Sequence, residues 1–252
     1  MDDPWQILRR HTSARIALGR TGDALPTRHL LDFQAAHARA RDSVHMDFDS
    51  EAIANRLRDI GGPILTLHSA AADRACYLQR PDLGRRLAEG TAEMLSPHAD
   101  GYDVAFVLAD GLSARAVHDH AEAMLRATLA QLDDTWVIAP ISLVHQGRVA
   151  IADEIGNLLG AGMTVILVGE RPGLSSADSL GAYLTWAPRP GRSNAERNCI
   201  SNIRPDGLPP EAAAYKLAYF MRESRRQQLS GVKLKDEAPG LFPAANGEIT
   251  AR

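Results

Sequence analysis

Cysteine is nearly missing from this chain: Cys76 and Cys199 are the only two in 252 residues. Two thiols make no metal site by themselves, and so few fit a reducing compartment better than a disulfide framework. An excess of either charge is also missing. Lys and Arg total 28 against 31 Asp and Glu, a net charge of −3. With no long basic stripe, nucleic acid is not an expected partner. No apolar run approaches the ~18 residues of a membrane span, and the N-terminus lacks the apolar core of a signal peptide. A cytoplasmic protein without a membrane partner is the expectation. Nucleotide fingerprints are missing too. Gly160-Ala161-Gly162 precedes a strand pattern and lacks a third glycine, and GxxxxGK[ST] does not occur. Gly173-Leu174-Ser175-Ser176-Ala177 lacks the last glycine of a nucleophile elbow, so Ser175 and Ser176 read as turn hydroxyls.

What is present is an apolar fraction of 45%, ample for a core. Residues 1–26 read as an irregular arm with a short helix near Trp5 to Arg10. Thr27 can cap a helix after Pro26, along which Leu30, Phe33, His37, Ala40 and Val44 recur at helical spacing. His37 on that stripe reads as a buried, satisfied histidine. A second helix fits Ser50 to Asp59, with Ser50 as its cap. After the Gly61-Gly62-Pro63 break, strands and helices alternate. Strands are expected at Ile64–Leu67, Val104–Ala109, Val137–Val144, Thr164–Val168 and Ala182–Ala187. Helices are expected from Ala70 to about Gln79, from Pro81 through Arg86, from a Ser113 cap to about Gln131, over Ile151–Leu159, and from Pro210 to about Gln228. This alternation predicts an α/β fold, a mostly parallel open sheet flanked by helices and Rossmann-like in kind, behind a helical N-terminal section. The expected division is 1–60 for arm and helices, 61–237 for the α/β domain, and 238–252 for a disordered tail.

Candidate chemistry gathers where an open sheet binds ligands, beyond the carboxyl ends of its strands. Glu170 follows the buried run Thr164–Val168, and its carboxylate can accept hydrogen bonds from ligand amides. A salt bridge to Arg171 or Arg197 is the competing role. After the second apolar run comes a polar loop with Arg192, Glu196, Arg197, Asn198, Cys199, Ser201, Asn202 and Arg204. Arg148-Val149 lies just before a helix, after the strand ending near Val144. Three loops of one rim thus carry Val149, Glu170 and Cys199. His118 and His120 flank Asp119 inside a predicted helix, where residues two apart do not face each other. Asp153 and Glu154 suit the positive end of their helix.

These stretches also carry a resemblance. GERPGLSSADSLGAYLTWAPRPGRSNAERNCISNIRPDGL and the following Leu229-Ser230-Gly231-Val232-Lys233-Leu234-Lys235-Asp236-Glu237 resemble the small subunit of ethanolamine ammonia-lyase. So do Ala14–Arg20, Leu25-Pro26-Thr27 and Asp103–Ser113. The resemblance spans nearly the whole chain. It implies a larger barrel subunit as partner, a higher-order hetero-oligomer, and adenosylcobalamin (coenzyme B12) held between the subunits. It implies Val149, Glu170 and Cys199 as cofactor-binding positions, and catalytic residues on the barrel subunit rather than this chain. The resemblance also implies a base-on cofactor that keeps its own dimethylbenzimidazole below cobalt, and the chain has no D-x-H-x-x-G motif that would place a histidine there instead. The resemblance also raises a bacterial microcompartment as a setting. Many family members carry a longer N-terminal extension associated with packaging, whereas about ten residues precede His11-Thr12-Ser13 here. Two rival readings of the residues stand beside this one. One is a stand-alone α/β enzyme with Glu170 and Cys199 as acid and nucleophile. The other is a structural partner subunit with no cofactor.

Overall fold

The computed structural model describes residues 5–12 and 14–238. The chain opens with α1 (Gln6–Arg9), α2 (Thr27–His45) and α3 (Ser50–Leu57). An alternating section follows: β1 (Ile64–His68), α4 (Arg74–Gln79), α5 (Thr91–Leu95) and β2 (Val104–Ala109). Next come α6 (Ala114–Ala116), a π-helical turn (Val117–Ala121) and α7 (Glu122–Leu129), which run on as one helical rod. The chain continues through β3 (Ile141–His145), α8 (Ile151–Leu159), β4 (Met163–Gly169), β5 (Leu180–Trp186), β6 (Arg197–Ile203) and α9 (Pro210–Gln227).

The six strands form one sheet in the order β1-β3-β2-β4-β5-β6. The first four are mutually parallel; β5 runs antiparallel to β4, and β6 antiparallel to β5. The expected mostly parallel open sheet is therefore present. All six residues of β2 and all seven of β4 are buried. Such continuous apolar runs suit strands covered by helices on both faces. Alternate residues divide between those faces. Val104, Phe106, Leu108, Val165 and Leu167 join the core that takes in α3, α7 and α9. Ala105, Val107, Ala109, Ile166 and Val168 join the core that takes in α8.

Local chemistry sets most element ends. Asp73 accepts from the Cys76 amide at 2.8 Å to start α4, and Ser113 accepts from the Ala116 amide at 3.2 Å to start α6. Gly160, at φ 74°, closes α8. Several expected boundaries move. Asp49, not Ser50, caps α3 through the Ala52 amide at 2.9 Å. Pro26, not Thr27, occupies the cap position of α2. The third strand starts at Ile141 instead of Val137, because Pro140 has no amide hydrogen for a ladder. The stretch from Pro81 shortens to a 3-10 turn at Leu83–Arg85.

Two corrections matter for function. The polar loop expected after the second apolar run contains the edge strand β6. Its burial alternates around Arg197, Ile200 and Ile203, with polar side chains between. Along α2 only Ala36 and Ser43 are buried, while Leu30 and Phe33 are 44% and 42% exposed. The apolar stripe faces outward, and His37 is exposed rather than buried, stacked on Phe33 at 6.3 Å between ring centroids. The disordered tail expected at 238–252 lies outside the described residues except for Ala238.

Candidate functional site

β2, β3 and β4 end side by side, and their carboxyl ends frame a crevice. The chain leaves β2 toward β3 and leaves β4 toward β5, which is the arrangement that opens a ligand site in α/β sheets. Glycine permits this convergence. A Cβ on Gly169 would lie 2.0 Å from the Ser113 carbonyl oxygen, and one on Gly111 (φ 56°) would lie 2.2 Å from the Gly169 carbonyl oxygen. Either side chain would push the two strand ends apart.

Glu170 is the next residue after β4. Its carboxylate accepts from the Ser179 hydroxyl at 2.5 Å, the Asn202 amide at 3.2 Å and the Ser201 hydroxyl. An ideal Cβ on Gly181 would come within 2.9 Å of Glu170 Oε1, so that glycine leaves room for the carboxylate. No ion pair to Glu170 occurs among the described residues. Arg197, one expected partner, is instead bound to Asp153, with Nη1 to Oδ1 and Nη2 to Oδ2 both at 2.6 Å. Asp153 sits in the first turn of α8, where a macrodipole role is expected, and the buried pair also ties β6 to α8. Glu154 accepts from the Leu87 amide at 2.8 Å.

Val149 and Glu170 line one cavity of about 490 Å³, together with Arg148, Gly169, Arg171 and Tyr183. Cys199 is not on a rim loop. It lies in the middle of β6, in register with Tyr183 on β5, and is exposed on the edge strand. Tyr183, which borders the cavity, lies across from Cys199 in the β5–β6 register, so Cys199 joins the site through that tyrosine. Although the residue is exposed, the groups packed around its sulfur desolvate the thiol and push its pKa upward; the nearby Glu170 carboxylate adds to this, and the Tyr183 hydroxyl acts against both. A second, more polar cavity of about 840 Å³ shares Glu170 and Arg171 and continues past Ser175, Ser179 and Arg204.

Beneath Val149 lies a cluster the sequence pattern did not reveal. Asp110, at the end of β2, faces Arg74, and the Tyr77 ring lies against both Arg74 and Arg148. Burial, against the pull of Arg74, raises the Asp110 carboxyl to about 6. Arg74 and Tyr77 come from α4, far away in sequence; only Asp110, by following an apolar run, carried a signal. The histidines near the other strand ends have structural partners. His118 Nε2 accepts from the Asp49 amide at 3.1 Å, His145 Nε2 and Ser50 Oγ are 2.8 Å apart, and His120 meets Asp178 at 3.2 Å. Among the described residues no group of three His, Cys, Asp or Glu side chains could hold a metal ion.

Fold and crevice together define an open-sheet α/β protein with a cavity at the strand carboxyl ends. Comparison with known proteins makes the class specific. The model of the family described as ethanolamine ammonia-lyase light chain (EutC) matches residues 2–235. The ethanolamine ammonia-lyase small subunit of Pseudomonas aeruginosa (strain LESB58) is 60% identical over 242 residues, covering 94% of this chain and 89% of that protein. The small subunit of Pseudomonas putida (strain KT2440) matches with the same identity and coverage. That of Pseudomonas syringae pv. tomato is 58% identical over 241 residues, covering 94% of this chain and 84% of its own. The chain belongs to the ethanolamine ammonia-lyase small-subunit family, and through it to the lyases.

Proposed function

We propose that this chain is the small subunit of an adenosylcobalamin-dependent ethanolamine ammonia-lyase, and that its crevice holds one edge of the cofactor against a barrel-shaped large subunit. The carrying observation is that Val149 and Glu170, brought by different loops, line one cavity.

The residues fit such a group. A corrin rim bears amide side chains, which need acceptors, donors and apolar contact. Glu170 offers the acceptor and Val149 the apolar surface. Arg148 contributes a guanidinium whose buried Nε has no partner in the chain. A cavity of about 490 Å³ takes an edge of a macrocycle rather than all of it, which suits a group shared with a second subunit. When bound, adenosylcobalamin supplies the radical that starts the 1,2-shift from ethanolamine to acetaldehyde and ammonia. This chain orients and shields. Glu170, itself held by Ser179, Ser201 and Asn202, presents a fixed acceptor, and Tyr183 with Cys199 closes the β5–β6 side. We take the cofactor as base-on: His68, His118, His120 and His145 each have a hydrogen-bond partner within the chain. Among the described residues no histidine lines the cavity.

The stand-alone enzyme is the weaker reading. A nucleophilic cysteine needs a lowered pKa and a base beside it. Here the thiol is pushed up, and its hydrogen-bond partner is a tyrosine.

Glu170→Gln in the assembled complex provides the test. Losing a charged acceptor costs on the order of 1–3 kcal/mol, roughly five- to a hundredfold in adenosylcobalamin affinity. An absorbance titration measures it, and wild-type affinity in the variant would reject a direct role for Glu170.

A further inference from the structure

We propose that Asp110 is a positioning residue for this crevice: with Arg74 and Tyr77 it holds the backbone of residues 146–149, and so sets the place of Val149 and of the Arg148 side chain toward the cofactor. The inference takes the crevice as the cofactor site, as read above.

Asp110 is 3% exposed. Its Oδ1 accepts from the Gly147 amide at 3.1 Å, and the nearby Gln146 and Gly111 amides favour the ionised carboxylate. Its Oδ2 faces Arg74 Nη1 at 3.4 Å. That nitrogen also donates to the Gly111 carbonyl at 2.8 Å and to the Gln146 side-chain oxygen at 3.2 Å. The ring of Tyr77 lies 4.8 Å from the Arg74 guanidinium carbon and 4.5 Å from that of Arg148. Its hydroxyl donates to the Gly147 carbonyl at 3.3 Å. Arg148 Nη2 donates back to the Tyr77 carbonyl at 3.1 Å.

The loop needs this support. Gln146 has φ 56°, a left-handed conformation that a residue with a side chain keeps only where its surroundings impose it. Gly147 is pressed onto β2: a Cβ there would lie 2.9 Å from the Ala109 Cβ. Asp110 accepts from the Gly147 amide, and the Tyr77 hydroxyl donates to the Gly147 carbonyl. Two residues further on, Val149 enters the cavity. Asp110 does not line the cavity itself, so it acts through the loop.

A buried carboxylate in this role carries a pH signature. Its proton leaves near pH 6, well above the usual carboxylate range, because burial outweighs Arg74. The groups facing it are the Arg74 guanidinium and Tyr77 from α4, with Arg148 beyond the tyrosine, and the amides of Gly111, Gln146 and Gly147. Above that pH the ionised carboxylate binds Arg74 and the loop amides. Below it, a hydroxyl proton on Oδ2 meets the donor face of Arg74, and the clamp loosens.

The test uses the full chain assembled with its large subunit, comparing wild type, Asp110→Asn, Tyr77→Phe and Glu170→Gln. Amide hydrogen exchange at one pH reports on the loop, and absorbance titration with adenosylcobalamin from pH 5.5 to 8 reports on binding. Both positioning variants should speed exchange at residues 146–149 while sparing β2 and β4. Both should weaken cofactor affinity about fivefold, the loss of one buried hydrogen bond. Wild-type affinity should fall as pH drops through 6, whereas Asp110→Asn should be weak and flat there. If Glu170→Gln weakens binding and the positioning variants do not, the inference fails and the cofactor site stands. If all three variants bind like wild type, the site reading fails and the inference with it. Should Asp110→Asn not fold, hydrogen exchange at residues 146–149 in Tyr77→Phe decides, because Tyr77 itself lines the cavity and its affinity alone does not separate positioning from direct contact.

Discussion

Cys199 shows how a residue's setting decides its chemistry. An edge-strand thiol in water reacts readily at mildly alkaline pH. Here burial and the Glu170 carboxylate both favour the neutral thiol, and only the Tyr183 hydroxyl favours the thiolate. The folded pKa is raised, so the thiolate fraction at pH 7.5 is below that of free cysteine. Iodoacetamide should therefore alkylate Cys199 more slowly than free cysteine, with the rate climbing as pH rises. Tyr183→Phe removes the one stabilising donor and should slow the reaction further. Alkylation faster than free cysteine would show an activated thiol and revive the nucleophile reading. Val149 and Glu170 were legible as rim positions because each directly follows or precedes a strongly patterned element. Cys199 was placed on the right side of the molecule but in the wrong kind of element.

The edge strand β6 is that element. Its sequence, RNCISNI, reads as polar loop because one face is solvated and only every third residue is buried. What makes it a strand is its antiparallel pairing with β5 and the anchor at its start. Arg197 and Asp153 are 3% and 2% exposed, and Thr185 takes a further hydrogen bond at 2.9 Å. Removing one partner of such a pair strands a buried charge, at a cost of about 3–5 kcal/mol. Arg197→Ala should lower stability by that order in urea unfolding. Replacing both partners, with Arg197→Met and Asp153→Leu, should cost far less, since two apolar side chains can fill the space. Equal losses in the single and double variants would show that side-chain volume, not charge, ties β6 to α8. The helix α2 shows the opposite mismatch. Its apolar spacing is regular, but the stripe finds no core among the described residues.

At the scale of the whole molecule, the reading we propose makes this chain a cofactor-facing wall and leaves the chemistry on the amine substrate to the large subunit. Among the described residues, acids and bases near the crevice are engaged in holding loops: Glu170 by hydroxyls and an amide, Asp110 by Arg74 and backbone amides. We expect the purified chain, given adenosylcobalamin and ethanolamine, to form no acetaldehyde. Activity should appear on adding the large subunit. Acetaldehyde from the chain alone, above a heat-treated control, would overturn the subunit reading.

The sequence by itself determined the layered α/β architecture. Continuous apolar runs at β2 and β4, separated by capped helices and glycine stops, can bury themselves only inside a sheet covered on both faces. It also put Glu170 and Val149 close to strand carboxyl ends, and both line one cavity there. Tertiary structure alone decided which groups meet. Arg74 and Tyr77 reach Asp110 and residues 146–148 because β1, β3 and β2 stand side by side out of chain order, and no local pattern encodes a contact across that crossover. The same holds for Arg197 with Asp153. Local periodicity reports which face of an element is apolar, but partners are selected by packing, through distance and burial that arise only once the sheet has formed.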